Sequence, residues 1–161
     1  KSLGEGAMNQ LNDNDFQTKP ASAFNNIAII VNHMAGNMLS RWSDFLTSDG
    51  EKPWRNRDTE FVAYDKSKQE ILERWNEGWS CLLDTLESLS EDELESTVFI
   101  RGEPHTVFEA INRQMTHYAY HVGQIVFIAN SIRGEDWVSL SIPRGASDQF
   151  NAEMKSKQRP N

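Results

Sequence analysis

Three of the four histidines in this sequence fall where their imidazoles can meet. His117 and His121 stand four residues apart in a helix-forming run, so both side chains share one face with Cβ atoms about 5–6 Å apart. Both rings then reach a single ion at the roughly 2.0–2.1 Å of a metal–nitrogen bond. His33 lies in an earlier run between Val31 and Met34 and beside Ile30, which points it inward as well. Three inward imidazoles from two helices can form a facial site with open positions for water or substrate. The competing explanation is three hydrogen-bonded core histidines. Burying unpaired imidazoles is costly, however, and one cation satisfies three nitrogens together. The fourth histidine, His105, falls in a β-like segment and reads as a surface residue. The expected metal ligands are therefore His33, His117 and His121. The expected cofactor is one divalent ion, zinc, nickel or iron, because imidazole does not choose among them.

Long helices must position these groups. Apolar residues at three- and four-residue spacing predict a helix over 24–46, capped by Ser22 or Asn25, and a second over 65–89 with Ile71, Trp75, Trp79 and Leu82 on its stripe. A third is predicted over 107–131, with Phe108, Ile111, Met115, Tyr118, Val122 and Ile125 as its apolar face and Gly134 as its stop. Thr106 and Glu109 form a capping box at its start. Leu3, Ala7, Met8 and Leu11 follow helical spacing too, and are expected to be the end of a helix that begins before Lys1. β-Branched residues around Arg101-Gly102-Glu103 predict a hairpin over 97–107. The segment 49–64 is charged and irregular, and loops of that kind often cover a functional site. Residues 137–161 are expected to be an irregular wrap, packed through Trp137, Leu140 and Ile142. The whole chain, 1–161, then reads as one all-α domain, an antiparallel four-helix bundle with a short hairpin before its last long helix.

Composition excludes several partners. The chain has 161 residues with 16 Lys+Arg against 24 Asp+Glu, a formal charge of −8, and a polyanion finds no basic face except the short stretch 155–159. Nucleic acid is therefore not an expected partner. Apolar runs such as 27–31 fall far short of the ~18 residues of a membrane span. One cysteine, Cys81, precludes an internal disulfide and suits a reducing compartment, and no signal-like stretch follows Lys1, so a cytoplasmic location is expected.

Two segments carry a resemblance. Asn32-His33-Met34-Ala35-Gly36-Asn37, followed by His117-Tyr118-Ala119-Tyr120-His121-Val122-Gly123-Gln124, resembles the DinB/YfiT-like superfamily of metal-binding four-helix bundles. The stretches 27–33, 45–54 and 141–145 are most similar to an uncharacterised branch of that superfamily, a domain of unknown function. The resemblance implies one divalent ion held by His33, His117 and His121, and a first helix longer than the piece present here. Some members of that superfamily use the metal to activate a low-molecular-weight thiol, and this sequence carries no thiol-recognition motif.

Three functions fit these observations. One is a metal-dependent hydrolase or thiol S-transferase acting on a small molecule. The second is a binding module that uses the same cleft without turnover. The third is a structural homodimer joined through exposed apolar helix faces. Trp42, Trp75 and Trp79 read as packing residues, Cys81 as a buried thiol, Trp54 as a cover for the cleft, and Tyr118, Tyr120 and Asn37 as neighbours of the ligands.

Overall fold

In the computed structural model, which describes residues 1–157, α2 (Ile27–Trp42) starts where Asn26 can cap it. The Asn26 side chain accepts a hydrogen bond from the Ile29 amide at 2.9 Å, so neither Ser22 nor Asn25 serves as the cap and Phe24 is left outside, exposed. The helix was expected to run to Leu46 and stops four residues earlier. Asp44 takes φ 47°, in the left-handed region that interrupts an α-helix. All but two residues of α2, Asn32 and Leu39, are buried, so this helix is enclosed on every side.

Two of the other helices, α3 (Lys68–Ser88) and α4 (Val107–Arg133), pack on it. α1 (Ser2–Met8) buries Gly4, Ala7 and Met8 and packs on α4. α3 lies along α2, started by a capping box between Ser67 and Glu70. The Thr106–Glu109 box opens α4 as the sequence indicates, with the Glu109 amide donating to Thr106 Oγ1 at 3.1 Å and the Thr106 amide to Glu109 Oε2 at 2.8 Å. Gly134 ends it. Its buried stripe is Val107, Ala110, Gln114, Tyr118, Ile125, Ile128 and Ala129. Phe108 and Met115, expected on that face, are exposed and Ala110 and Gln114 are buried instead, while Tyr118 is buried as expected and hydrogen-bonds to Asn37 of α2. Trp42, Trp75 and Trp79 are core residues, and Trp42 Nε1 donates to Tyr118 Oη at 2.9 Å.

β1 (Thr97–Ile100) and β2 (Glu103–Thr106) pair antiparallel with Ile100 opposite Glu103, leaving Arg101-Gly102 as a two-residue turn with both φ positive, the type favoured in hairpins. The second strand thus begins one residue before the expected position and ends where α4 starts. A correction applies to 137–161. Trp137 and Leu140 pack against the core as expected, but Ile142 is exposed and α5 (Ser147–Ser156) occupies much of the supposed irregular wrap. It buries none of its residues, and Phe150 and Met154 lie one turn apart in it, both exposed. Of the basic stretch 155–159, residues 158 and 159 lie outside the described residues. Among the described residues no helix is long and apolar enough to cross a membrane.

Candidate metal centre

His33 enters from the middle of α2 and is 4% exposed; His117 and His121 enter from α4, half-buried. His33 Nε2 stands 3.3 Å from His117 Nε2, and His121 Nε2 stands 3.1 Å from the same atom. All three ring nitrogens lie within 4.8 Å of one another. Tetrahedral coordination with metal–nitrogen bonds of 2.0–2.1 Å separates neighbouring ligand atoms by about 3.3 Å. The two contacts to His117 match that spacing.

The outer side of each ring decides what these inner nitrogens are. His33 Nδ1 lies 2.8 Å from Glu60 Oε2, and Glu60 is gripped in turn by Arg55, whose Nε donates to Oε1 at 2.7 Å and whose Nη2 donates to Oε2 at 2.9 Å. Burial alone would raise the Glu60 pKa, but the hydrogen bonds from His33 and Arg55, with the Arg55 charge, outweigh it and hold the carboxyl below its usual range. An ionised carboxylate only accepts, so His33 Nδ1 carries its proton and donates. His121 Nδ1 likewise lies 2.8 Å from the Gln124 carbonyl Oε1, an acceptor one turn on. In the neutral rings, Nε2 of His33 and Nε2 of His121 are then lone pairs facing inward. A single proton on His117 Nε2 serves one of them and leaves the other unmatched, whereas a cation takes all three lone pairs. Ligand histidines held from behind by a carboxylate or amide oxygen are the usual supporting arrangement of a metal site. The donor set fits a divalent ion.

Glu60 comes from the loop expected to cover a site, in the 3-10 turn Arg57–Phe61. Phe61 packs on the His33 ring with centroids 4.6 Å apart. Trp54, expected to be the cover, is 60% exposed instead. The approach of Glu60 to α2 depends on Gly36, where a methyl group would overlap Glu60 Oε1. Asn37 accepts from Tyr118 Oη at 3.1 Å, and the Tyr120 ring lies edge-on to His121. His105 is half-buried on β2 beside Arg113 Nη1 at 3.4 Å and takes no part in the cluster. Cys81 is half-buried, and burial pushes its thiol pKa up, away from nucleophilic character. Sequence reasoning missed Glu60 and Arg55 as supports; the only signal was an acid and a base in a loop that had to cover something.

A family model described as a protein of unknown function, DUF1572, matches residues 1–146. The chain belongs to that family. No curated protein and no solved structure matches it.

The electrostatics of the DUF1572 centre favour neutral rings at His117 and His121. Burial, with the charges of His121, His33, Arg55 and Arg41, pushes the His117 pKa down to about 4. Burial lowers His121 as well, against the opposing pull of Gln124. Between pH 6.5 and about 4 the unfolded chain therefore binds a proton at His117 that the folded chain refuses. Metal-free protein should lose stability as pH falls through that window, and His117→Ala should flatten part of the slope. Thermal melts at pH 7.5 and pH 5 check this; a wild-type decrement no larger than that of the variant counts against it.

Proposed function

We propose that this DUF1572 chain is a DinB-type protein in which α1 to α4 are the four helices of the bundle. His33, His117 and His121 hold one divalent ion, zinc, nickel or iron, which is used on a small molecule, either a hydrolysable substrate or a low-molecular-weight thiol. The observation that carries this reading is the convergence of three Nε2 atoms, two of them on rings held from behind by Glu60 and Gln124. Bound there, a divalent ion supplies Lewis acidity and lowers the pKa of a water or thiol that reaches it. The chain's own residues do the positioning. Glu60 keeps the proton of His33 on Nδ1, Arg55 fixes Glu60, and Phe61 covers the His33 ring.

Protein purified without a histidine tag should contain close to one equivalent of metal by elemental analysis. It should also show metal-dependent turnover, removed by a chelator, on either a panel of esters or a panel of electrophiles supplied with a thiol. Metal without turnover in either assay moves the reading to a binding module. Absence of metal overturns it.

A further inference from the structure

Beside the histidines lies a cavity of about 180 Å³, with His33 and His117 in its wall. That volume holds about six water molecules, enough for one small charged group. In a chain of net charge −8 the rest of the wall is unexpected: Arg41, Arg55, Arg57, Arg101 and Arg113 line it together with Asn37 and Gln114. They arrive from separate parts of the fold, Arg41 from α2, Arg55 and Arg57 from the covering loop, Arg101 from the hairpin turn and Arg113 from α4. Like charges gathered in one recess repel unless something balances them. Arg55 has Glu60, and Arg101 has Glu51 at 3.3 Å.

Arg41 has nothing comparable. It is 4% exposed, and among the described residues neither its Nε nor its Nη1 has a hydrogen-bond partner. A buried guanidinium without acceptors is one of the most costly arrangements a fold can keep. Burial accordingly lowers its pKa. Gln114, 3% exposed, also has its Oε1 unpartnered among the described residues. The surroundings nevertheless hold these groups in place. A methyl group at Gly50 would overlap Arg41 Nη1. Asp49 accepts from the Arg101 amide at 2.9 Å and the Gly102 amide at 2.7 Å, which fixes the hairpin turn, and Arg101 with it, at the cavity.

We propose that this cavity binds an oxyanion group, phosphoryl or carboxylate, of the small molecule presented to the histidine centre, with Arg41 as its buried anchor. Guanidinium forks match the oxygens of either group, and such an anion balances the charge of Arg41 at the cavity wall together with that of Arg113. A neutral ligand would leave those charges unmatched. The proposal rests on the histidines being the reactive centre, but the anion contacts themselves need no metal, so the two readings fail separately.

Metal-chelated protein is titrated by calorimetry with inorganic phosphate and, in a second arm, with acetate. The comparison variants are Arg41→Gln, Arg113→Gln and, as a control on the exposed segment before α5, Arg144→Gln. Saturable binding that weakens with added sodium chloride is expected in the wild type, and the tighter of the two anions identifies the group. Arg41→Gln should lose about tenfold or more in affinity, as removal of a charge-assisted hydrogen bond does, and Arg113→Gln several-fold. Arg144→Gln should bind like the wild type. Arg113 is exposed on α4, so its variant keeps the test decisive if Arg41→Gln does not fold. Failure of both anions to bind, or undiminished affinity in the folded arginine variants, overturns the proposal. Metal content of the same arginine variants should be unchanged.

Discussion

Elemental analysis of His33→Ala, His117→Ala and His121→Ala should each return less than about a tenth of the metal of the wild type after dialysis against a weak chelator. Structural zinc sites bind with roughly 10–16 kcal/mol shared among their ligands, and about 1.4 kcal/mol is tenfold in affinity. Removal of one of three protein ligands is therefore expected to weaken binding by more than about a hundredfold. The fold should survive, because its stability comes from buried apolar residues such as Trp42, Trp75, Phe16 and Ile125 rather than from the imidazoles. His117 and His121 are only half-buried, and removing either should cost no more than about 1–2 kcal/mol. His33 is more deeply set, but its loss leaves Glu60 still paired with Arg55. Circular dichroism of all three variants should match the wild type. His105→Ala, outside the cluster, should keep its metal. Wild-type metal content in all three ligand variants would sink the site.

Parts of this centre were legible in the sequence because helix geometry is local. His117 and His121 share a face whatever else the chain does, once the Thr106–Glu109 box has started the helix and Gly134 has ended it. His33 was placed inward by its neighbours Ile30 and Met34, and both are buried. The supports were not legible, because they come from a loop. Nothing in the spacing of Arg55 and Glu60 says which helix they face, and the contact depends on the missing side chain at Gly36 of α2, far from the loop in sequence. Arg41 is harder still. A charged residue near the end of an apolar helix reads as solvent-facing, and the segment around Gly50, which folds back against Arg41, helps to enclose it. The same limit applies to the stripe of α4, where Phe108 and Met115 matched the apolar pattern but Ala110 and Gln114 are the residues that are buried. The end of α2 depended on one backbone angle at Asp44, and periodicity carries no record of it.

Glu60→Ala should be the most destabilising single change around the centre, and it should act on stability and metal binding together. Glu60 is 7% exposed, and its partner Arg55 has a side chain only 3% exposed. Truncation takes two hydrogen-bond acceptors from the buried Arg55 guanidinium, which keeps only Glu51 Oε2 at 3.5 Å, and leaves His33 Nδ1 without its partner, a loss of about 3–5 kcal/mol for a broken buried pair. For a chain of this size about 2–4 °C of melting temperature accompanies each kcal/mol, so Tm should fall by roughly 6–20 °C. Metal affinity should fall by about 10–100-fold, the usual effect of removing an oxygen that orients a ligand imidazole. Glu60→Gln keeps the shape and one acceptor oxygen, and should lose less of both. The pH dependence gives a further check. The Glu60 pKa is depressed in the folded protein, so its stabilising effect is complete above the unfolded carboxyl value near 4.5 and is lost as pH falls through the folded value. The Tm difference between wild type and Glu60→Gln should therefore narrow below about pH 4.5. A double variant with His33→Ala should show less than the sum of the two single losses of metal affinity, because Glu60 acts on the metal only through His33. Full additivity, or a Glu60→Ala protein that melts with the wild type and binds metal equally well, would mean that Glu60 does not hold His33 in its ligand-ready form.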